Sequence, residues 1–245
     1  MNTPPGWGED PLSKFLVDAH HNCMASFANY ARLPVMAALK EVDACFRDVV
    51  GFSFNLPKEL FLPILIGRCH AAYLSSIQLS LAGQVPEAYP SIRLCVENAL
   101  YAVFIQDDPA IDADIPERWR IWLERDESEM AEKTCRATFT HAKVRDHLVT
   151  RDGGLGERAE MLYQRTIKYG AHPNFYAQAQ ASELPSEKGG GSVQYLLPNT
   201  DASKLCIQTS VEAGTCALRI FGLILEERYE EAGIHARIPK IEYTK

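Results

Sequence analysis

The sequence lacks the long apolar runs that mark a membrane protein. No run reaches the roughly 18 residues needed to cross a bilayer, and the longest candidate, LFLPILIG, is interrupted by Pro63 and followed by Arg68. The first residues, MNTPPGWGEDPLSKF, contain no cationic segment followed by an apolar one, so we expect no signal peptide. The sequence therefore predicts a protein that does not contact a membrane.

The motifs of metal and cofactor enzymes are also missing. There is no H-E-x-x-H, no E-x-x-H pair of a di-iron bundle, and no cysteine–histidine zinc spacing. The GGLGE at 153–157 lacks the Lys-Ser/Thr of a phosphate-binding loop, and no G-x-S-x-G is present. We therefore predict no metal and no cofactor.

Negatively charged residues outnumber positively charged ones, and the cysteines show no pairing pattern. The net charge of −7 disfavours general nucleic-acid binding, which requires a concentrated cationic surface, although a local basic patch could still provide one. The seven cysteines are odd in number and never form C-x-x-C, and most occupy apolar positions of helical patterns. This usage is typical of a reducing compartment and predicts a cytoplasmic protein.

Helical periodicity dominates what is present. Apolar residues recur at spacings of three and four along most of the chain, and glycines and prolines punctuate the segments, as at Gly83 and at Tyr169-Gly170. The first stripe consists of Phe15, Leu16, Ala19, Cys23, Phe27 and Tyr30. The predicted helices, about seven in number, cover 12–31, 34–51, 58–83, 89–106, 114–151 (as two helices or one kinked helix), 155–169 and 202–231.

One segment departs from this pattern. Residues 174–200 contain alternating residues on both sides of the glycine-rich EKGGGS, which favours a small hairpin or an irregular loop. We predict one all-α domain over 1–245, a helical bundle with this insertion, an N-terminal tail at 1–10 and a C-terminal tail at 234–245.

A charged pair lies within the most apolar helix. Residues 91–108, SIRLCVENALYAVFIQDD, are apolar or small on nearly all sides, yet they include Arg93 and Glu97, four residues apart on one helix face. Burying either charge alone would cost about several kcal/mol, because the ion would lose its contacts with water. Each charge therefore needs a partner. The two residues form a buried ion pair that fixes helix register, or line a polar pocket, or are an exposed pair.

The same stretch carries a resemblance. AYPSIRLCVENALYAVFIQDDP, with LSLAGQ before it and YGAHPN after it, resembles a family of uncharacterised all-helical bacterial proteins that have an Arg-x-x-x-Glu helix, a DP corner and a later Tyr…His-Pro motif. That family is loosely similar to the HEPN domains, whose active members cleave RNA. The resemblance implies a defence or toxin–antitoxin context and a metal-independent nuclease signature, an arginine and a histidine separated by four to six residues.

This spacing has little value on its own, because about one match is expected by chance in a chain of this composition. Three pairs occur: Arg136 with His141, Arg165 with His172, and Arg228 with His235. The second spans a helix end and the turn YGAHPN, where His172 could act as a general base with Arg165 and Tyr169 holding a phosphate. Thr166 follows the arginine where active HEPN motifs have Asn, Asp or His. In the alternative interpretation His172 caps the helix C-terminus.

A basic stripe is predicted on a helix over 130–149. Lys133, Arg136, Lys143 and His147 share one face of this helix, and His141 lies on the apolar face. The stripe is a solvated surface, a contact to RNA phosphates, or a contact to an acidic protein. No aromatic residue alternates with these cations, which disfavours base stacking.

These observations predict a non-catalytic helical interaction or ligand-binding protein that forms a homodimer and contacts a protein partner or RNA. Its candidate binding residues are Arg93, Glu97, Lys133, Arg136, Lys143 and His147. The alternative is a HEPN-like RNA-cleaving module that uses Arg165, Tyr169 and His172, so the sequence leaves open whether the protein is an enzyme.

Overall fold

Helices account for nearly all of the regular structure, and the predicted all-α class is confirmed. The computed structural model describes residues 4–54, 59–111, 116–171, 182–183 and 192–238. Single turns of other helix types occur at Glu124–Asp126 (3-10) and Ile167–Ala171 (π). Within the described residues the α-helices are α1 (Pro11–Tyr30), α2 (Pro34–Val50), α3 (Phe61–Ala82), α4 (Val85–Gln106), α5 (Glu117–Leu123), α6 (Glu129–Thr138), α7 (His141–Arg151), α8 (Gly153–Thr166), α9 (Asp201–Gly222), α10 (Glu226–Glu231) and α11 (Ile234–Arg237).

The core lies where α3, α4 and α9 pack together. These helices bury residues on most of their circumference, and α9 buries small and polar residues as well as apolar ones. Gly214 of α9 allows this close approach, because a Cβ at that position would lie 2.6 Å from Val42 and 2.7 Å from the Tyr73 ring. The Tyr73 hydroxyl donates to the Leu39 carbonyl at 2.8 Å, which attaches α2 to the same core.

The turn between α3 and α4 is tighter than predicted. Gly83 ends α3 in the left-handed conformation, with φ of 88°, as its position in the sequence predicts. Helix α4 then begins at Val85, earlier than the predicted residue 89, because Pro86 lies in the first turn, where a missing N–H has no cost. The two central helices are therefore joined as an antiparallel hairpin.

Gly170 has a packing role and does not end a helix in the left-handed conformation. Pro90 lies inside α4 and has no N–H to donate to the carbonyl of Pro86, four residues before it. The π-turn at Ile167–Ala171 packs against this place, and a Cβ on Gly170 would lie 2.2 Å from the Pro86 oxygen. The prediction of a C-terminal capping glycine at this position is therefore wrong.

The predicted helix over 130–149 is two helices. Helix α6 ends at Thr138, and Thr140 has extended backbone angles and accepts a hydrogen bond from the Lys143 N–H, which makes it the N-cap of α7. The predicted basic stripe is thereby divided, with Lys133 and Arg136 on α6 and Lys143 and His147 on α7.

The predicted apolar stripe of α1 does not face the core as a whole. Of its six residues only Tyr30 is buried, and the other residues that α1 buries are Ser13 and Ser26. Leu16 and Phe27 are exposed. Helix α1 therefore lies on the bundle surface with part of its apolar side uncovered.

The predicted insertion and the predicted C-terminal tail both contain regular secondary structure. Within the predicted insertion, β1 (Ser182–Glu183) pairs antiparallel with β2 (Ser192–Val193), and the rest of 172–191 lies outside the described residues. Helix α11 occupies the start of the predicted C-terminal tail, where Ile234 is buried and Arg237 forms ion pairs with Glu41 and Asp48 of α2.

Candidate functional site

A row of polar residues follows one side of α4. Arg93, Glu97 and Tyr101 are spaced four residues apart, so they share a helix face. The Arg93 Nε donates to Glu97 Oε1 at 2.8 Å, and the two side chains are 24% and 25% exposed. The predicted ion pair is therefore present, but it is partly exposed and not fully buried, because this side of α4 stays partly open while the other sides are buried.

Helix α8 supplies the next partner of this row. The Arg93 Nη2 donates to the Tyr163 hydroxyl at 2.7 Å, and its guanidinium carbon lies 4.5 Å from the centre of the Tyr163 ring. The arginine therefore holds a carboxylate on its own helix and a phenol on α8 at once. This double contact fixes the position of α8 on α4.

The same tyrosine ring connects to a histidine–carboxylate pair. His141 of α7 stacks on Tyr163 with 3.5 Å between ring centres, and its Nε2 lies 2.9 Å from Glu160 Oε2. Although partial burial raises the pKa of Glu160, its hydrogen bonds with His141 and Gln164 outweigh that effect and lower it. Arg145 forms ion pairs with Asp146 and Glu160. We call Arg93, Glu97, His141, Glu160 and Tyr163 the polar cluster.

An open groove begins where the row on α4 ends. Three aromatic rings meet edge to face, with ring centres 5.3 Å apart for Tyr101 and Trp122, 5.8 Å for Tyr101 and Phe139, and 4.9 Å for Trp122 and Phe139. The groove has a volume of about 410 Å³ and lies between α4, α5 and α6. We call it the aromatic groove; it is lined by Tyr101, Trp122, Arg125, Asp126, Glu132, Cys135, Arg136 and Phe139.

Two arginines stand at the edge of this groove. The Arg125 guanidinium carbon lies 5.6 Å from the centre of the Trp122 ring, and Arg136 forms an ion pair with Glu132 at 2.5 Å. Both guanidinium groups are well exposed. Because exposed ion pairs contribute little to stability, either arginine can turn to a new anion at small cost.

Partial burial changes the pKa of Tyr101, one of the residues that line the groove. It raises the pKa of Tyr101, and the nearby Glu97 carboxylate adds to this effect. Tyr101 is therefore a neutral phenol at pH 7, whose hydroxyl can donate a hydrogen bond.

The sequence indicated only part of this site. It identified Arg93, Glu97 and Arg136, but Tyr101, Trp122, Arg125 and Phe139 were missed. The four-residue spacing from Arg93 to Glu97 continues to Tyr101, and this signal could have extended the row along α4. The remaining residues come from α5, α6 and the turns at their ends, and no spacing in the sequence relates them to α4.

Most cations of the predicted basic stripe have structural partners. The Lys143 Nζ donates to the Ala137 carbonyl at the end of α6, at 2.7 Å, and the His147 Nε2 lies 2.9 Å from Asp107 Oδ2. Lys133 is exposed on α6. These contacts attach α7 to its neighbours, and the break between α6 and α7 means that the four predicted residues do not lie along one helix.

The predicted catalytic residues lie in a different part of the bundle. Arg165 is buried, and its Nη1 donates to Glu212 at 2.6 Å and to Thr209 at 3.2 Å, both on α9. Tyr169 stacks on Tyr89 with 5.6 Å between ring centres. His172 lies outside the described residues, so the structure does not test the predicted catalytic arrangement, which stays a prediction.

Within the described ranges, no group of three or more His, Cys, Asp or Glu side chains could hold a metal ion. The seven cysteines are unbridged, and six of them are buried. In the same ranges, no helix combines the length and the apolar character needed to cross a bilayer.

Comparisons of the chain with known protein families, with curated proteins and with solved structures find no match.

Proposed function

We propose that the protein is a non-catalytic ligand-binding module whose aromatic groove holds a small molecule with a planar apolar body and an anionic group. One observation carries this proposal: three aromatic rings and two exposed guanidinium groups line the same opening of about 410 Å³. This volume is within the range of small-molecule sites, which are apolar with a few directed polar groups.

The groups around the groove suit the two parts of such a ligand. The rings of Tyr101, Trp122 and Phe139 offer apolar contact to a planar body. Arg125 and Arg136 pair with Asp126 and Glu132 of the same groove in exposed contacts. By turning from these contacts, each arginine can donate two parallel hydrogen bonds to a carboxylate, sulfonate or phosphate, which a lysine could not do. The proposed ligand class follows from this combination of aromatic rings and guanidinium groups.

The polar cluster supports a rigid site more than a catalytic one. The His141 imidazole is engaged by Glu160 and Tyr163, and Arg93 by Glu97 and Tyr163. These bonds connect α4, the helix that carries Tyr101, with α7 and α8. A preformed site of this kind reduces the entropy lost on binding.

The alternative, a HEPN-like RNA-cleaving module, has weaker support. Its arginine, Arg165, is 7% exposed and bonded to Glu212, which is 0% exposed. A guanidinium in this position is directed at a carboxylate in the core. The alternative therefore stays a prediction that depends on His172.

The oligomeric state and the location of the protein are also part of the proposed function. We propose a homodimer, on the apolar surface described in the next subsection, and a cytoplasmic location, because seven unbridged thiols suit a reducing compartment. A protein partner or RNA as a second ligand remains a prediction from the sequence.

Anilinonaphthalene sulfonate is a suitable probe, since it combines planar rings with an anion. We expect saturable binding that weakens at least about 10-fold in Trp122→Ala and several-fold in Arg125→Gln, because stacking and one charged contact are lost. The affinity is measured from the fluorescence of the bound dye, which is excited by energy transfer from tryptophan.

Leu123→Ala is the matched control, because Leu123 is exposed on the same helix but does not line the groove. Its affinity should equal that of the parent protein. Equal affinities for all four proteins would refute the groove as the binding site. Arg125→Gln changes an exposed side chain, so it keeps the test valid if Trp122→Ala fails to fold.

A further inference from the structure

Uncovered apolar residues are concentrated at the N-terminal end of the bundle. Of the sixteen large hydrophobic residues that are exposed among those the structure describes, seven lie between residues 7 and 33. The seven are Trp7, Leu12, Leu16, Val17, Met24, Phe27 and Leu33. A concentration of this kind is typical of an interaction surface, whereas scattered exposed residues are ordinary.

On α1 these residues follow the spacing of a helix-pairing face. Val17, His20, Met24 and Phe27 are separated by three, four and three residues, which is the alternation of positions that face a partner helix in a coiled coil. Leu16 lies beside them. All five are exposed, and we call them the α1 seam.

The exposed area is large enough for a helix pair. Leu12 and the four apolar residues of the seam are each between 38% and 68% exposed. At roughly 150–200 Å² for a fully exposed residue of this size, they present about 450 Å² per copy. Two copies would bury about 900 Å² through these residues alone, and the polar residues along a helix roughly 30 Å long would bring the total to that of a specific interface.

Charge favours a second copy of this chain as the occupant. Lys14 and Asp18 are the formally charged residues of α1, so the helix is neutral although the chain carries a net charge of −7. Two copies can approach through this face without the repulsion that their other surfaces would produce. Lys14 of α1 and Lys40 of α2, whose ammonium lies 5.1 Å from the centre of the Phe27 ring, are too few cations to attract an anionic membrane, and Asp18 offsets one of them.

We propose that two copies of the chain pair through the α1 seam about a two-fold axis. This inference rests on the homodimer in the proposed function but is independent of the aromatic groove. A two-fold axis brings the same residues of both copies together, so the seam meets itself.

The masses of two methionine variants in solution test this proposal. Met24→Glu changes a residue of the seam that is 54% exposed, and Met130→Glu changes a residue of α6 that is 70% exposed. The first would place a carboxylate inside the dimer, while the second would leave it in water. Light scattering after size exclusion measures the mass of each protein.

We expect the parent protein and Met130→Glu to have twice the 27.4 kDa mass of the chain, and Met24→Glu to be a monomer. This corresponds to a rise of at least about 100-fold in the dimer dissociation constant, since an ion without a partner is buried. A monomeric parent protein would overturn the proposal, and so would a dimeric Met24→Glu.

Cys23 provides a second measurement within the dimer itself. It lies beside the seam and is the one cysteine of the seven that is not buried. Its alkylation by iodoacetamide should be about 10-fold faster in Val17→Glu than in the parent protein, because the partner copy no longer covers the thiol and thiol reactivity depends on access. Equal rates in the two proteins would overturn the proposal even if Met24→Glu failed to fold.

The dye titration separates this inference from the proposed function. Monomeric Met24→Glu should still bind anilinonaphthalene sulfonate with the affinity of the parent protein, since the groove is on α4, α5 and α6. Loss of dimerisation with intact dye binding supports the seam and leaves the groove unaffected. If Met24→Glu loses dye binding in the monomer, the seam and the groove are not independent and the inference is wrong.

Discussion

Removing the guanidinium of Arg165 is the perturbation with the largest expected effect on stability. The side chains of Arg165 and Glu212 are 7% and 0% exposed, and their charged atoms are 2.6 Å apart. Arg165→Met keeps much of the side-chain volume but leaves the Glu212 carboxylate in the core without this guanidinium. Gln208 donates to the same carboxylate at 3.3 Å, which replaces only part of the lost interaction.

The structure allows the magnitude to be estimated. Breaking one side of a buried ion pair costs about 3–5 kcal/mol, because the remaining ion has lost its compensation. For a chain of this length each kcal/mol lowers the melting temperature by roughly 2–4 °C, so Arg165→Met should melt about 10 °C lower. Arg93→Met is the matched control, and it should cost about 1 kcal/mol, because Glu97 is partly in water and keeps solvent as a partner.

Thermal and urea unfolding followed by circular dichroism measure both variants. The double variant Arg165→Met/Glu212→Leu should recover much of the loss, since neither charge is then left in the core. A loss in Arg165→Met no larger than that in Arg93→Met would refute the structural role of this pair. That result would favour the alternative in which Arg165 serves chemistry.

Two further predictions concern packing and pH. Gly214→Ala should lower the free energy of unfolding by about 1–3 kcal/mol, because the new methyl group meets the Tyr73 ring. Gly67→Ala in α3 is the control, because a methyl group there has open space. It should leave the free energy of unfolding unchanged or raise it by up to about 1 kcal/mol. Urea unfolding compares the two, and equal effects would contradict the close packing at Gly214. The pKa of Glu160 is lowered in the folded protein, so its contribution to stability is complete above the ordinary value of 4.5 and is lost as the pH falls through the folded pKa. Glu160→Gln should therefore be less stable than the parent protein at pH 7 and equally stable near pH 3, and a pH-independent difference would contradict the pairing with His141.

Much of the fold could be predicted from the sequence, because helical periodicity and helix-end residues are local signals. Gly83 ends α3 as predicted, and the apolar pattern of 91–108 identified a central helix. The break between α6 and α7 was missed because Thr140 can cap a helix or continue one, and only the tertiary structure decides between these states. The local signals therefore define the helices but not all of their boundaries.

The site was predicted less completely, since it depends on contacts between distant residues. Arg93 and Glu97 were identified by their unusual surroundings, but their exposure depends on how α8 packs on α4, and Tyr163 is 70 residues away in the sequence. The prediction of the basic stripe was limited in the same way. The sequence pattern shows the positive charges of the stripe, but it does not show that the Asp107 carboxylate contacts His147. Sequence patterns located polar residues on helices, and tertiary packing determined which of them meet.

The three tryptophan indoles allow the central claim, ligand binding in the aromatic groove, to be tested directly. Trp122 lines the groove, Trp119 is buried on the same helix against Phe61, and Trp7 is exposed at the N-terminal end. Nitrogen–proton correlation spectra recorded during a titration with anilinonaphthalene sulfonate should show the indole signal of Trp122 shifting in a saturable way while that of Trp7 stays unchanged. A shift of Trp7 with an unchanged Trp122 would contradict the account, because the dye would then bind near the N-terminus and not in the groove.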